Sequence, residues 1–147
     1  MFNNILIICV GNICRSPMAE YLLKTKLAHR SEKSIESAGI GALVGKPADE
    51  TALMILSEQG IDATSHRARQ VTTEMLANAD LILAMEEKHL KRLHELAPQI
   101  RGRAFLLGKW QDDQSVPDPH RQQRLAFEYA FKLIDEATNS WLKYLDK

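Results

Sequence analysis

An α/β fold built on a parallel sheet is the fold class this sequence predicts, and three observations predict it. Four short apolar runs, at residues 4–9, 35–39, 81–85 and 104–107, alternate with stretches of helical period. Two of them, Ile5-Leu6-Ile7-Ile8 and Leu81-Ile82-Leu83-Ala84-Met85, are apolar without a break, the pattern of strands buried on both faces. Strands that alternate with helices wind into a parallel sheet covered on both sides, a doubly wound fold. The third observation is a Gly-containing loop directly after the first strand. In such sheets ligands bind beyond the carboxyl ends of the strands, where the strand order switches.

The first strand, residues 4–9, runs into Cys9-Val10-Gly11-Asn12-Ile13-Cys14-Arg15-Ser16-Pro17. Ser16 is placed to cap the next helix, with Pro17 at its first position. Met18, Ala19, Leu22, Leu23 and Leu27 form the apolar face of that helix to about residue 28. Residues 29–33 make a polar turn. The second strand, 35–39, leads into a Gly-rich loop through Gly45. A helix over residues 49–60 turns Leu53 and Leu56 inward and stops at Gly60. Residues 61–70 are a connection carrying His66, Arg67 and Arg69, and 72–78 form a short helix. After the third strand a helix runs to Ala97, with Leu90, Leu93 and Ala97 on one face and Pro98 as its stop. The fourth strand is followed by a polar loop over 108–120 and a last helix from about 122 to 145. Its inward stripe reads Ala126, Ala130, Leu133, Ala137 and Trp141. No repeat, linker or low-complexity tract interrupts this pattern, so residues 1–147 are expected to form a single domain.

Composition narrows the function. Lys plus Arg and Asp plus Glu each number 19, so the net charge is zero. That argues against a general nucleic-acid or membrane-surface binder but leaves room for a local anion site. The first apolar run is far too short to cross a bilayer and no basic region precedes it. Neither a signal peptide nor a membrane helix is expected, and the cytoplasm is the default location. The two cysteines, Cys9 and Cys14, share one loop, which is not the pattern of a disulfide framework or a zinc site. They could be small buried hydrophobes, but their neighbours favour reactivity.

A strand, a turn and a helix start gather backbone N–H groups around one point, where the helix dipole adds positive potential. Arg15 adds a planar, two-pronged donor for phosphate oxygens. A thiol at Cys9 below that point is an in-line nucleophile, and fields of this kind favour thiolate over thiol. The amides from Val10 through Gly11, Asn12 and Ile13 to Cys14 supply the cradle, and Asn12 tolerates the left-handed backbone that a tight anion loop demands. Ser16 can hydrogen-bond the Cys9 sulfur. The pattern is not a nucleotide-binding loop, which needs Gly-x-x-x-x-Gly-Lys-Ser/Thr. A leaving phenolate or alkoxide also needs a proton. The best candidate is Asp118 in Val116-Pro117-Asp118-Pro119, on a long loop, with Asp112 and Asp113 as competitors. No cluster of histidines or carboxylates suggests a metal, and no cofactor is expected.

The stretch Cys9 to Pro17 resembles the signature of the low-molecular-weight protein tyrosine phosphatases, and the resemblance covers nearly the whole chain. It implies a four-stranded sheet in the order 2-1-3-4. It assigns the general acid to Asp118, which stands in the family's Asp-Pro pair. It implies a braced loop in which Ser37 and His66, the latter in His66-Arg67-Ala68-Arg69, support Asn12. It also implies a reversible disulfide between Cys14 and the nucleophile, a redox protection. One departure stands out: the family's usual aromatic residue after Asp-Pro, often tyrosine, is His120 here. The loop over 39–45 resembles that of bacterial members linked to exopolysaccharide and capsule production, as does the opening Met-Phe-Asn-Asn, with Ile40 and Leu43 as candidates for contacting the substrate ring. The implied substrate is a tyrosine-phosphorylated protein, an autophosphorylated membrane-bound bacterial tyrosine kinase of polysaccharide production, met by a monomer. Two rivals share features with this reading. A thioredoxin-linked arsenate reductase needs further relay cysteines, which are absent. A silent phosphotyrosine-binding or redox-sensing module has no use for Cys9, Arg15 and Asp118 together.

Overall fold

Four parallel strands, β1 (Asn4–Cys9), β2 (Ser34–Gly39), β3 (Leu81–Ala84) and β4 (Ala104–Leu106), pair in the order β2-β1-β3-β4. This computed structural model describes residues 2–147, so the opening Met1 lies outside the described residues. The order is the one the resemblance implied. Because side chains alternate along a strand, Ile5, Ile7 and Cys9 enter one apolar cluster and Leu6 and Ile8 the other. Helices α1 (Arg15–Lys26), α2 (Glu50–Glu58) and α5 (Arg124–Leu145) cover the first face. Helices α3 (Thr73–Asn78) and α4 (Glu87–Leu96) and the 3-10 turn Pro98–Ile100 cover the second. With β2 on one side of β1 and β3 on the other, the switch in strand order lies at the carboxyl end of β1, where Cys9 sits. Among the described residues no helix is long and apolar enough to cross a membrane.

Three sequence expectations shift by a residue or a role. Ser16 does not cap α1: the helix starts at Arg15 with Cys14 in the cap position, and the Ser16 hydroxyl turns inward toward Cys9 and Asn12. Leu56 is fully buried, but its partner on α2 is Ile55, while Leu53 is only partly covered. On α5 the buried stripe centres on Phe127, Ala130, Ile134, Ala137 and Trp141, leaving Ala126 and Leu133 at its margin. Both stripes satisfy a period of 3.6, and the helix turns so that its larger side chains meet the core. The stops held. Asp49 caps α2 by accepting from Thr51 N at 2.8 Å. Gly60, at φ 77°, closes that helix while Ile61 N donates back to Leu56 O.

Candidate active site

The cradle is made by turning carbonyls outward. Ile40 N, Gly41 N and Leu43 N donate to the carbonyls of Cys9, Val10 and Gly11, each at 3.0 Å. His66 Nε2 reaches Asn12 O at 2.7 Å, Asp49 N reaches Ile13 O at 2.7 Å and Met18 N reaches Cys14 O at 3.1 Å. Across a planar trans peptide the N–H points opposite the C=O. With carbonyls 9–14 bound outside, the N–H groups of Val10 to Arg15 are left for the concave side. The β2 end packs so closely that a Cβ on Gly39 would collide with the Val10 carbonyl oxygen.

Asn12 is the keystone of this turn, at φ 61°. A left-handed non-glycine residue costs about 1–2 kcal/mol, and the side chain offsets that with three hydrogen bonds. Its Oδ1 accepts from Arg69 N at 2.9 Å, which fixes the amide orientation, since a backbone N–H can only donate. Its Nδ2 therefore donates to Ser16 Oγ (2.8 Å) and Ser37 Oγ (2.9 Å). Each hydroxyl has its own proton left to give. Ser37 gives it to Glu20 Oε1 at 2.5 Å, and Ser16 directs it at Cys9 Sγ, 2.8 Å away. A buried carboxylate is thus joined to the sulfur through two hydroxyls and one amide. His66 must donate from Nε2 to a carbonyl, so its proton is on that nitrogen, and Nδ1 faces Glu20 at 4.0 Å.

Arg15 is 2% exposed. Burying a guanidinium requires a partner, and Glu86, two residues beyond the end of β3, supplies it at 2.6 Å. The same Nη1 donates to Val116 O at 2.9 Å. Nη2 stands 3.7 Å from Asp118 Oδ2. Beside Glu86, with Nε2 3.5 Å away, His89 is buried and neither ring nitrogen has a hydrogen-bond partner among the described residues. Burial, and then the Arg15 charge, lower its pKa to about 4.

Asp118 stands across the cradle on the loop before α5, and His120 N donates to its Oδ1 at 3.0 Å. A cavity of about 180 Å³ is lined by Cys9, Arg15, Asp118, Leu43 and His120, among others. The larger groove of about 700 Å³ around Asn4, Glu36 and Thr72 lies at the amino ends of β1 and β2 and brings no nucleophile. Cys9, Val10, Gly11, Ile13, Cys14, Arg15, Asp118 and His120 thus gather at one cleft, with Asn12, Ser16, Ser37 and His66 behind it. Ile40 does not join them: it packs against the cluster on the other face, and Gly41 and Leu43 form that wall. Asp112 and Asp113 are exposed, at φ 54° and 57°. Burial, with Asp49 next in effect, pushes the Cys14 thiol well up. The fold also brings ligand atoms of Cys14, Asp49 and His120, distant in sequence, within 4.8 Å of one another.

Sequence reasoning missed Glu20 and Glu86. Glu20 interrupts an apolar face beside Ala19 and Leu23, and a carboxylate there needs a buried partner. Glu86 follows a buried strand at its carboxyl end, the position where function collects.

The family model described as low molecular weight phosphotyrosine protein phosphatase matches residues 4–147. The low molecular weight protein-tyrosine-phosphatase Wzb of Escherichia coli K12 is 45% identical over 99% of this chain and 97% of its own. The probable low molecular weight protein-tyrosine-phosphatase AmsI of Erwinia amylovora is 42% identical over the whole of both chains. The structure of Vibrio vulnificus Wzb in complex with benzylphosphonate superposes with a TM-score of 0.92 at 43% identity, covering 98% of this chain and 99% of that one.

Proposed function

This chain belongs to the low-molecular-weight phosphotyrosine protein phosphatase family and is a metal-independent protein-tyrosine-phosphatase, and we propose that it works through a cysteinyl-phosphate intermediate on an autophosphorylated bacterial tyrosine kinase of polysaccharide production. The single observation that carries the mechanism is the 2.8 Å contact of Ser16 Oγ with Cys9 Sγ at the base of the amide cradle, with Asp118 opposite.

In the first step the Cys9 thiolate attacks phosphorus in line. The S–P bond forms as the P–O bond to the leaving phenolate breaks, and Asp118 gives its proton to that oxygen. The cradle amides and Arg15 hold the three equatorial oxygens, over which the transition-state charge is spread. In the second step Asp118 takes a proton from water, the hydroxide forms the new P–O bond, and the sulfur leaves as thiolate. The Ser16 hydroxyl, its acceptor side occupied by Asn12, stabilises that leaving sulfur. Glu86 is the positioning residue for Arg15. Cys14 guards the nucleophile: a Cys9 sulfenic acid condenses with the Cys14 thiol, releasing water and forming a disulfide that thiols can reduce.

The kinase reading rests on the likeness to Wzb and AmsI and on the apolar Leu43 wall with His120 opposite. A monomer working in the cytoplasm, a single domain over 1–147, fits a substrate tail presented at the inner membrane surface. The test is release of phosphate from such a kinase, autophosphorylated on tyrosine, against the same chain phosphorylated on serine. Rapid release from tyrosine alone supports the reading, and indifference to the kinase overturns the substrate assignment.

A further inference from the structure

We propose that Cys14, Asp49 and His120 form a zinc-binding site at the mouth of the cleft, and that zinc there switches the enzyme off. The three residues are far apart in sequence, and the fold brings one ligand atom of each within 4.8 Å of the others. Cys14 comes from the cradle, Asp49 from the cap of α2, and His120 from the loop that carries Asp118. A second observation is compatible with a ligand: among the described residues His120 Nδ1 is buried and has no hydrogen-bond partner. Asp49 spends Oδ1 on Thr51 N, and its other oxygen is uncommitted.

The donor set is one sulfur, one imidazole nitrogen and one carboxylate oxygen. Thiolate and imidazole together select zinc over magnesium or calcium. Three protein ligands and an open fourth position are a common zinc arrangement. Zinc bonds of about 2.0–2.3 Å in a tetrahedron put ligand atoms about 3.3–3.8 Å apart. The present spacing must close by about 1 Å, which His120 supplies by turning about its own side-chain torsions. Charge favours a dication: Asp49 and Asp118 stand near Cys14, against Arg15, whose charge Glu86 already pairs. On binding, the Cys14 thiol gives its proton to solvent as the S–Zn bond forms, with no change of oxidation state.

Two consequences follow from place. Cys14 and His120 line the same cavity as Cys9 and Asp118, so the ion and its fourth ligand occupy the substrate's entrance. The bound sulfur is at the same time withdrawn from disulfide formation.

The test is zinc titration of the intact, reduced enzyme by calorimetry, which does not depend on the phosphatase mechanism. One zinc per chain is expected. Cys14→Ser, Asp49→Asn and His120→Phe should each weaken it about tenfold or more, while Cys9→Ser stays close to the parent. Cobalt in place of zinc should show thiolate-to-metal charge-transfer absorption that Cys14→Ser removes. Asn still caps α2, so Asp49→Asn, scored against its own zinc-free rate, should need about tenfold more zinc for half-inhibition. Absence of binding, or binding lost in Cys9→Ser and unchanged in Asp49→Asn and His120→Phe, would overturn the site.

Discussion

The cradle and the acid loop face each other across one cleft and are built in opposite ways. In the cradle every outward carbonyl from Cys9 to Cys14 has a donor, Asn12 is fully buried, and Arg15 is held at 2% exposure by Glu86. Across the cleft, Asp118 is 48% exposed, and among the described residues its one carboxylate hydrogen bond comes from His120 N, two residues on. The difference follows from the two tasks we propose for them. Stabilising a dispersed oxyanion charge needs donors already in place, because donors that must reorient give back the gain. A group that first gives and then takes a proton must sit near solvent and adjust to two partners. The protein therefore spends its buried polar contacts on the cradle and leaves the acid on a loop.

Breaking the cradle from behind should have the largest effect. Glu86→Ala strands the Arg15 charge in the interior, and loss of one partner of a buried pair costs about 3–5 kcal/mol. Turnover should fall as well, by about 10²–10³ if Arg15 loses its aim. Thermal unfolding and kcat on an aryl phosphate check both, and a variant as stable as the parent would mean that Val116 O alone holds the guanidinium.

Asp118→Ala should separate the two regions. Stability should change by no more than about 0.5 kcal/mol, as for an exposed surface position. Turnover should fall by about 10²–10⁴ for aryl phosphates with poor leaving groups and far less for those with good ones. A loss that ignores leaving-group pKa would remove Asp118 from the acid role.

Cys14→Ser should be smaller still in the resting enzyme, which stays active, and should show itself after peroxide as poor recovery on adding thiol. Recovery equal to the parent's would mean that Cys14 packs but does not protect.

The least effect belongs to His89, and it appears only in acid. Above about pH 6.5 the imidazole is neutral folded and unfolded, and contributes no pH dependence. Between about 6.5 and about 4 the unfolded chain takes up a proton that the buried ring refuses. Stability therefore falls as pH drops through that window. His89→Leu should flatten this limb by at most about 1.4 kcal/mol per pH unit, read from urea unfolding at several pH values. An unchanged slope would place the proton uptake elsewhere.

The cradle side was legible because its chemistry is local. Cys9, Arg15 and Ser16 lie within one turn, and strand, loop and helix are adjacent in the chain. Asp118 was legible only as one of three acids on its loop until family likeness chose it. Glu20 and Glu86 were not read, since their partners are 17 and 71 residues away and only packing brings them together. Of the two roles the sequence offered Ser16, the sulfur contact holds and the cap does not, and Asn12 decides between them. Ile40 was misassigned because a single step along a loop separates the cleft wall from the opposite core. The meeting of Cys14, Asp49 and His120 has no sequence signal, as each comes from a different element.

The most direct measurement of the account is to trap the intermediate. Asp118→Ala should be mixed with an aryl phosphate bearing a good leaving group, quenched in acid, and its peptides weighed. Attack needs no proton there, whereas hydrolysis lacks its base, so one phosphoryl group should accumulate on the peptide holding Cys9. Release of the phenol with phosphate on no residue, or on any residue other than Cys9, would contradict it.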